Sequence, residues 1–249
     1  MRTARLIALA TTFGFFGGPS AGAAEPDPTA RTIIAKHLEA IGGVEAQKKL
    51  TTRKSEGTAM LNQVGTLWKI TVIQKAPDKK HLLVMDDTQL IVEKGTDGQE
   101  AWQRFAGNQV QSIEGDNLNY ELKDARFHSG LEMIEKGEFT HEGDEEIDGW
   151  KYHVLKATFE DESPLPGKNH TLYIDRDTYL LGRMRYEREL GGATVPHTIA
   201  LSGYEEVDGI PVPTSMTISV NGTPFATVTF DRITHDVDVD DDLFRKPLP

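Results

Sequence analysis

After a short proline-rich start, the hydrophobic pattern of the chain is helical. Asp27 stands where an N-cap acid is favoured, Pro28 fits the first turn, and Gly42-Gly43 ends the stretch. Its apolar residues fall on one stripe: Ile33, Ile34, Leu38 and Ile41. This pattern predicts an amphipathic helix, with a second short helical piece from Val44 to Leu50.

Further along, the period changes to two, which is typical of strands with one buried face. Apolar residues alternate with polar ones in two clear stretches: Trp68, Ile70 and Val72 around Lys69 and Thr71, and Leu90 and Val92 beside Gln89 and Glu93. Turn residues separate such stretches at Asn62, Ala76-Pro77-Asp78, Asp97-Gly98 and Gly107-Asn108. The pattern predicts a meander of antiparallel strands.

Residues 116–136 return to near-helical spacing and end at Gly137. Because Gly130 weakens a continuous helix, we expect one or two helices here, packed against the sheet. The strand pattern then resumes in six segments: Trp150–Phe159, His170–Ile174, Leu181–Tyr186, Thr198–Tyr204, Thr214–Val220 and Phe225–Ile233.

Three dipeptides in this second half favour tight hairpin turns: Asp148-Gly149, Asp208-Gly209 and Asn221-Gly222. About ten or eleven strands result, and without strand-helix alternation a parallel α/β sheet is disfavoured. An open antiparallel sheet of this size twists and curls, so it offers a concave face. The predicted class is α+β, with helices partly covering that face and an apolar cavity between the layers.

Composition and charge argue against several classes of function. With 27 Lys and Arg against 39 Asp and Glu, the net charge of −12 disfavours nucleic-acid binding and purely electrostatic attachment to anionic membranes. The absence of Cys excludes thiol catalysis, Cys-ligated zinc and disulfides. Apolar residues make up 38% of the chain, which suits a folded soluble protein, and we expect a monomer.

Residues 1–24 have the layout of a cleavable secretory signal. Arg2 and Arg5 precede an apolar run that is too short to span a bilayer, and small residues follow up to Ala24. The expected mature protein is one domain over residues 25–249, exported to the periplasm and not integral to the membrane. The G-x-S-x-G pattern at residues 18–22 would be discarded with the signal.

No motif predicts a catalytic, metal or cofactor site. The eight histidines are scattered without close ligand spacing: His37, His81, His128, His141, His153, His170, His197 and His235. The acidic tail over residues 236–242 starts like a calcium loop but lacks the later Gly and Glu, so we interpret it as the solvated end of a strand. Asp175-Arg176-Asp177 is interpreted as a turn with capping acids.

Apolar positions are the remaining candidates for a binding site. They could line a ligand cavity or be ordinary core, and alternation alone favours core. The candidate cavity-lining residues are Trp68, Ile70, Val72, Leu82, Val84, Leu90, Val92, Trp102, Phe127, Leu131 and Ile134.

Several segments, taken in order, resemble secreted bacterial proteins of the LolA-like family of outer-membrane lipoprotein-sorting proteins. They are Glu39-Ala40-Ile41-Gly42-Gly43, Asp97-Gly98 before Ala101-Trp102, Leu172-Tyr173-Ile174-Asp175, residues 206–213 (Glu-Val-Asp-Gly-Ile-Pro-Val-Pro), and Asp241-Asp242-Leu243-Phe244 before Pro247. The resemblance implies a strongly curved antiparallel half-barrel with helices packed on its concave face. It also implies a hydrophobic cavity that shields acyl chains.

Three functions follow as hypotheses. The leading one is a non-enzymatic periplasmic carrier, or a sensor, that binds a lipid or an acylated protein. The second is an interaction module for an envelope protein or peptide, without lipid, marked by an exposed apolar patch. The third is an enzyme, for example a hydrolase using two carboxylates, which a cluster of acid and His side chains inside the cavity would favour.

Overall fold

The computed structural model describes residues 27–160, 162–190 and 192–247, so the predicted secretory signal lies outside the described residues. The helices are α1 (Pro28–Ala40), α2 (Val44–Lys49), α3 (Gly115–Asp124) and α4 (Ser129–Lys136). The first six strands are β1 (Thr52–Leu61), β2 (Thr66–Lys75), β3 (Lys79–Asp86), β4 (Gln89–Thr96), β5 (Ala101–Phe105) and β6 (Gln111–Ile113). The other seven are β7 (Gly137–Ile147), β8 (Trp150–Phe159), β9 (Lys168–Asp175), β10 (Leu181–Leu190), β11 (Ala193–Val207), β12 (Ile210–Val220) and β13 (Thr223–His235).

These thirteen strands form one open antiparallel sheet in the order β6-β5-β4-β3-β2-β1-β13-β12-β11-β10-β9-β8-β7. The expected count of ten or eleven strands was wrong, because the sequence pattern missed β6 and β7. Both are edge strands, where one side has no neighbour, and β7 alternates half-buried and exposed residues along most of its length. A mostly polar edge strand carries little hydrophobic signal.

The predicted hairpin turns are confirmed. Asp148 and Gly149, at the end of β7, both have positive φ, at 55° and 83°. The Asp208-Gly209 and Asn221-Gly222 pairs have the same left-handed conformation and join β11 to β12 and β12 to β13. Two consecutive positive φ angles match the twist of the flanking strands, which is why these dipeptides favour hairpins.

Helix α1 begins as its sequence predicts and lies on one face of the sheet. The Asp27 carboxylate accepts hydrogen bonds from the backbone N–H groups of Thr29 (2.8 Å) and Ala30 (3.3 Å), which caps the helix. Its apolar stripe packs into a core formed with β8 and β9, where the buried side chains are Ala30, Ile33, Ile34, Leu155, Leu172 and Ile174. We refer to this covered side of the sheet as the helix face.

Helix α3 contacts strands that are far apart in the sheet. Glu121 forms an ion pair with Lys94 of β4 (2.7 Å), and the neighbouring Tyr120 hydroxyl lies 3.2 Å from that of Tyr186 on β10. In a flat sheet β4 and β10 would lie about 34 Å apart, since strands are spaced about 4.8 Å. A helix of this length spans only about 15 Å. The contacts are therefore compatible with the strongly curved half-barrel expected from the sequence.

The acidic tail does not continue a strand, so that interpretation was wrong. Strand β13 ends at His235, and the chain then crosses to a short 3-10 turn, Asp241–Leu243. Asp241 is paired there with Lys75 (2.8 Å) and Lys79 (2.6 Å), and these bonds lower the pKa of its carboxyl to about 2. Part of the tail is held against β2 and β3 by these ion pairs.

Candidate functional site

The helix face carries an apolar cluster in the first half of the sheet, which we call the apolar surface. Three of its side chains are buried: Ile70, Val84 and Val228. Eight more are only half-buried: Ala59, Trp68, Val72, Leu82, Ile91, Val92, Met216 and Phe230. The surface includes six of the predicted cavity-lining residues, namely Trp68, Ile70, Val72, Leu82, Val84 and Val92.

Strand register explains why these residues share a face. Directly paired residues of antiparallel strands point to the same side. Trp68 pairs with Ala59, Ile70 with Val84, and Val84 with Val92. The pattern of alternation therefore extends across β1 to β4 and through β13 to β12 as one continuous surface.

Strand β1 contributes only small residues to the middle of this surface. Ser55, Gly57 and Ala59 pair with Val72, Ile70 and Trp68 on β2, and with Ile233, Phe230 and Val228 on β13. Large side chains thus stand on both sides of a low floor, which we call the β1 trough.

Gly57 is required at this point by the backbone. The pairing of β1 with β13 shifts between Glu56 and Gly57, and a Cβ built on Gly57 would lie 2.0 Å from the carbonyl oxygen of Thr229. No side chain fits at that distance. The irregularity keeps the floor of the β1 trough free of side-chain atoms at its centre.

The β1 trough is polar at the N-terminal end of β1. Arg53, one pleat before Ser55, donates a hydrogen bond from its guanidinium to Gln74 Oε1 (2.6 Å). The Phe127 ring, from the connection between α3 and α4, lies 5.5 Å from the same guanidinium. Burial lowers the pKa of Arg53, but a guanidinium titrates so high that it stays charged.

At the opposite end, the upper edge of the sheet, large apolar side chains face solvent. Val64 is 64% exposed in the β1–β2 turn and Phe105 is 41% exposed at the end of β5. Leu67, Leu190 and Phe225 are exposed along the same edge. Single exposed apolar residues are ordinary, but five at one edge form an apolar rim next to the apolar surface.

The other five predicted lining residues lie elsewhere. Leu90 pairs with Met85 and is not part of the apolar surface. A bulge shifts the β3–β4 register at this point, and Ile91 contributes to the apolar surface in its place. Phe127 packs with Leu50, Ile210 and Val212, and Ile134 packs against the α1 core. Leu131 is buried on α4.

Trp102 lies beneath the C-terminal segment, and only 2% of its surface is exposed. Its indole N–H donates a hydrogen bond to the carbonyl oxygen of Phe244 (3.0 Å), and Gly95 leaves room for the ring. The residue is therefore a structural anchor between β5 and the tail.

A cavity of about 580 Å³ lies between α3 and the upper ends of β8 to β10. Most of its lining residues are of polar or charged types, among them Lys123, Glu162, Arg188 and Tyr120, and none of the predicted lining residues is among them. Burial raises the pKa of Tyr120 well above its usual range. A smaller cavity of about 140 Å³ on the other side of Tyr120 includes Leu82. Sequence patterns of apolar residues could not have located the larger cavity, because most of its lining residues are of polar or charged types.

Comparison with known proteins places the chain in a family. A family model described as that of an uncharacterized protein matches residues 100–247, more than half of the chain, and the chain belongs to that family. No curated protein matches the chain. Among the described residues, no helix is long and apolar enough to cross a membrane.

Solved structures show the fold. A DUF1329 family protein from Desulfovibrio piger is 15% identical with a TM-score of 0.60, over 87% of this chain and 97% of its own. A LolA superfamily protein from Nitrosomonas europaea is 14% identical with a TM-score of 0.56, over 87% and 97%. A putative outer membrane lipoprotein-sorting protein domain from Vibrio parahaemolyticus is 13% identical with a TM-score of 0.56, over 87% and 96%. The fold is LolA-like, which confirms the resemblance drawn from the sequence.

Proposed function

We propose that residues 25–249 form one LolA-like half-barrel domain that works in the periplasm as a non-enzymatic carrier. Its cargo is a lipid or the acyl chain of a lipoprotein, held on the helix face of the sheet. The observation that carries the proposal is the apolar surface: eight of its eleven side chains are only half-buried, although they face the side on which the helices pack.

An incompletely covered apolar surface favours an apolar ligand. Each CH₂ group that leaves water for such a surface contributes about 0.8 kcal/mol, so a long acyl chain can supply a large part of its own binding free energy. The half-buried side chains would lose their remaining contact with water in the same step. The apolar surface therefore has the chemistry that an acyl chain requires.

The dimensions of the β1 trough also suit an acyl chain. From Ser55 to Leu61, β1 rises about 20 Å, at about 3.3 Å per residue. The hydrocarbon core of a bilayer is about 30 Å thick and contains two leaflets, so one chain extends about 15 Å. One extended acyl chain therefore fits along the β1 trough.

The comparisons support this proposal at the level of the fold. The Vibrio parahaemolyticus structure is named as a putative lipoprotein-sorting domain, and the Nitrosomonas europaea protein as a LolA superfamily member. Fold alone does not determine function, so the assignment of cargo depends on the apolar surface of this chain.

Extraction of bound lipid tests the proposal. The exported protein, purified from envelope fractions without detergent, should release acyl lipids in a constant ratio to protein by mass spectrometry. A protein that is consistently free of lipid and that does not bind a fluorescent fatty acid would overturn the proposal.

A second candidate function is an interaction module for an envelope protein, favoured by the apolar rim. Val64, Leu67 and Phe225 are exposed enough to contact a partner directly. Replacing Leu67 with Asp should abolish capture of one reproducible envelope partner and leave lipid binding intact, because Leu67 pairs with Met60 on the face opposite Trp68. Loss of lipid binding in this variant would count against a separate protein site.

A further inference from the structure

Two histidines and an aspartate converge at the lower end of the helix face, outside the apolar surface. His141 and Asp144 are on β7 and His153 is on β8. The same oxygen of Asp144, Oδ1, lies 2.7 Å from His153 Nδ1 and 3.2 Å from His141 Nε2. One ligand atom from each residue lies within 4.8 Å of the other two.

A β-bulge creates this convergence. Residues three apart in a regular strand point to opposite faces, so His141 and Asp144 would normally be separated by the sheet. The β7–β8 register shifts between His141 and Gly143, and Gly143 has a φ of 117°. The extra residue brings Asp144 to the side of His141, directly opposite His153. Bulges commonly re-aim side chains beside functional sites.

The donor set suits a first-row divalent metal ion. Imidazole nitrogen and carboxylate oxygen are ordinary ligands of Zn²⁺, at about 2.0 to 2.2 Å. Tetrahedral geometry at that radius separates neighbouring ligand atoms by about 3.3 Å. The observed separations of 2.7 and 3.2 Å need only small side-chain movements, in which a metal ion replaces the protons shared with Asp144 Oδ1.

Surrounding groups hold the three side chains in place. Arg176 pairs with the second oxygen of Asp144 (3.0 Å), which leaves Oδ1 for the histidines. The backbone N–H of His141 donates to Asp27 (2.9 Å), and the His153 ring stacks on Tyr179. Such outer contacts orient metal ligands, while the positive charge of Arg176 opposes a cation and favours a reversible site.

We propose that His141, Asp144 and His153 bind one divalent first-row metal ion of the Zn²⁺ type. Three protein ligands leave a fourth coordination position for water or a small ligand. A cavity of about 440 Å³ adjoins the site, because His153 lines it together with Lys36, Thr32 and Tyr179. The site is separate from the apolar surface, so it does not depend on the proposed carrier function.

Calorimetric titration of the tag-free mature protein with Zn²⁺ alone tests the site. We expect one ion per chain, with binding at least tenfold weaker in His153→Gln and in Asp144→Asn, because loss of a ligand costs no less than loss of an outer contact. The matched controls are His128→Gln, a histidine between α3 and α4, and Asp148→Asn, which keeps the hairpin turn. Both controls should bind Zn²⁺ as the unchanged protein does.

A second readout separates a metal site from an acidic surface. Co²⁺ should give the visible absorption of a low-coordinate nitrogen and oxygen site in the unchanged protein and in His128→Gln, and lose it in His153→Gln. Thermal unfolding without metal establishes that each variant is folded. Absence of saturable Zn²⁺ binding, equal binding in cluster and control variants, or equally tight binding of Ca²⁺ and Mg²⁺ would overturn the proposal.

Discussion

Trp102 and Phe244 lie far apart in the chain but are joined by a hydrogen bond of 3.0 Å from the indole nitrogen to the backbone carbonyl oxygen. Both side chains are among the largest that are fully buried. The contact closes the C-terminal segment over the end of β4 and β5, next to Gly95. Strand register sets the Trp102 side chain on the face opposite the helix face, because Trp102 pairs with Gly95 and Gly95 pairs with His81, whereas the helix-face Leu82 pairs with Lys94.

Phe244→Ala should therefore destabilise the protein strongly. Removing a fully buried aromatic side chain typically costs about 3 to 5 kcal/mol of unfolding free energy, through lost burial and the cavity left behind. Denaturant unfolding measures the loss. The control is Phe225→Ala, a 42% exposed phenylalanine, which should change stability by only about 0.5 kcal/mol. Equal effects of the two substitutions would show that the tail is not packed as described.

Gly57→Ala should also destabilise, for a different reason. The added methyl group would meet the Thr229 carbonyl oxygen at 2.0 Å, so the backbone has to move, with a cost of at least about 1 to 3 kcal/mol. Gly130→Ala in α4 is the matched control, since nothing lies within 4 Å of the new methyl group. There the substitution should stabilise by about 0.5 to 1 kcal/mol. A neutral Gly57→Ala would contradict the described β1–β13 bulge.

Stability should fall in mild acid because burial lowers the pKa of several histidines, including His37, His170 and His235. Burial lowers the pKa of His37 and of His170 below the usual 6.5, so the folded protein binds these protons less readily than the unfolded chain. Their contribution is present above pH 6.5 and is lost as the pH falls from there through the lowered values. The free energy of unfolding should therefore decrease as the pH is lowered from 8 to 5. His170→Gln should flatten this dependence, and an unchanged slope would exclude His170 as a cause.

Much of the fold follows from the sequence because the signals are local. The cap at Asp27, the helices in residues 116–136 and the Asp-Gly turns each depend on a few neighbouring residues. The edge strands β6 and β7 were missed because almost none of their residues are buried, so they carry little hydrophobic signal. The burial of Trp102 under Phe244 was also missed, because it joins residues that are remote in sequence.

Only part of the histidine cluster could have been predicted from the sequence. A two-residue turn at Asp148-Gly149 already sets Asp144 opposite His153, so this pair could have been found from the hairpin register. The bulge that adds His141 depends on tertiary context and has no strong sequence signal. In the same way, the alternation of Trp68, Ile70 and Val72 predicted part of the apolar surface correctly. The prediction of Leu90 was wrong, because the β3–β4 bulge brings Ile91 to that surface instead.

The most direct test of the carrier proposal fills the β1 trough. Ala59→Phe places a ring on its floor, between Trp68 and Val228, while Thr58→Phe adds the same ring one residue away on the opposite face, beside Lys69. Titration with a fluorescent fatty acid should show binding weakened at least tenfold by Ala59→Phe, or about 1.4 kcal/mol, and unchanged by Thr58→Phe. Equal affinity in the two folded variants would contradict acyl-chain binding in the β1 trough.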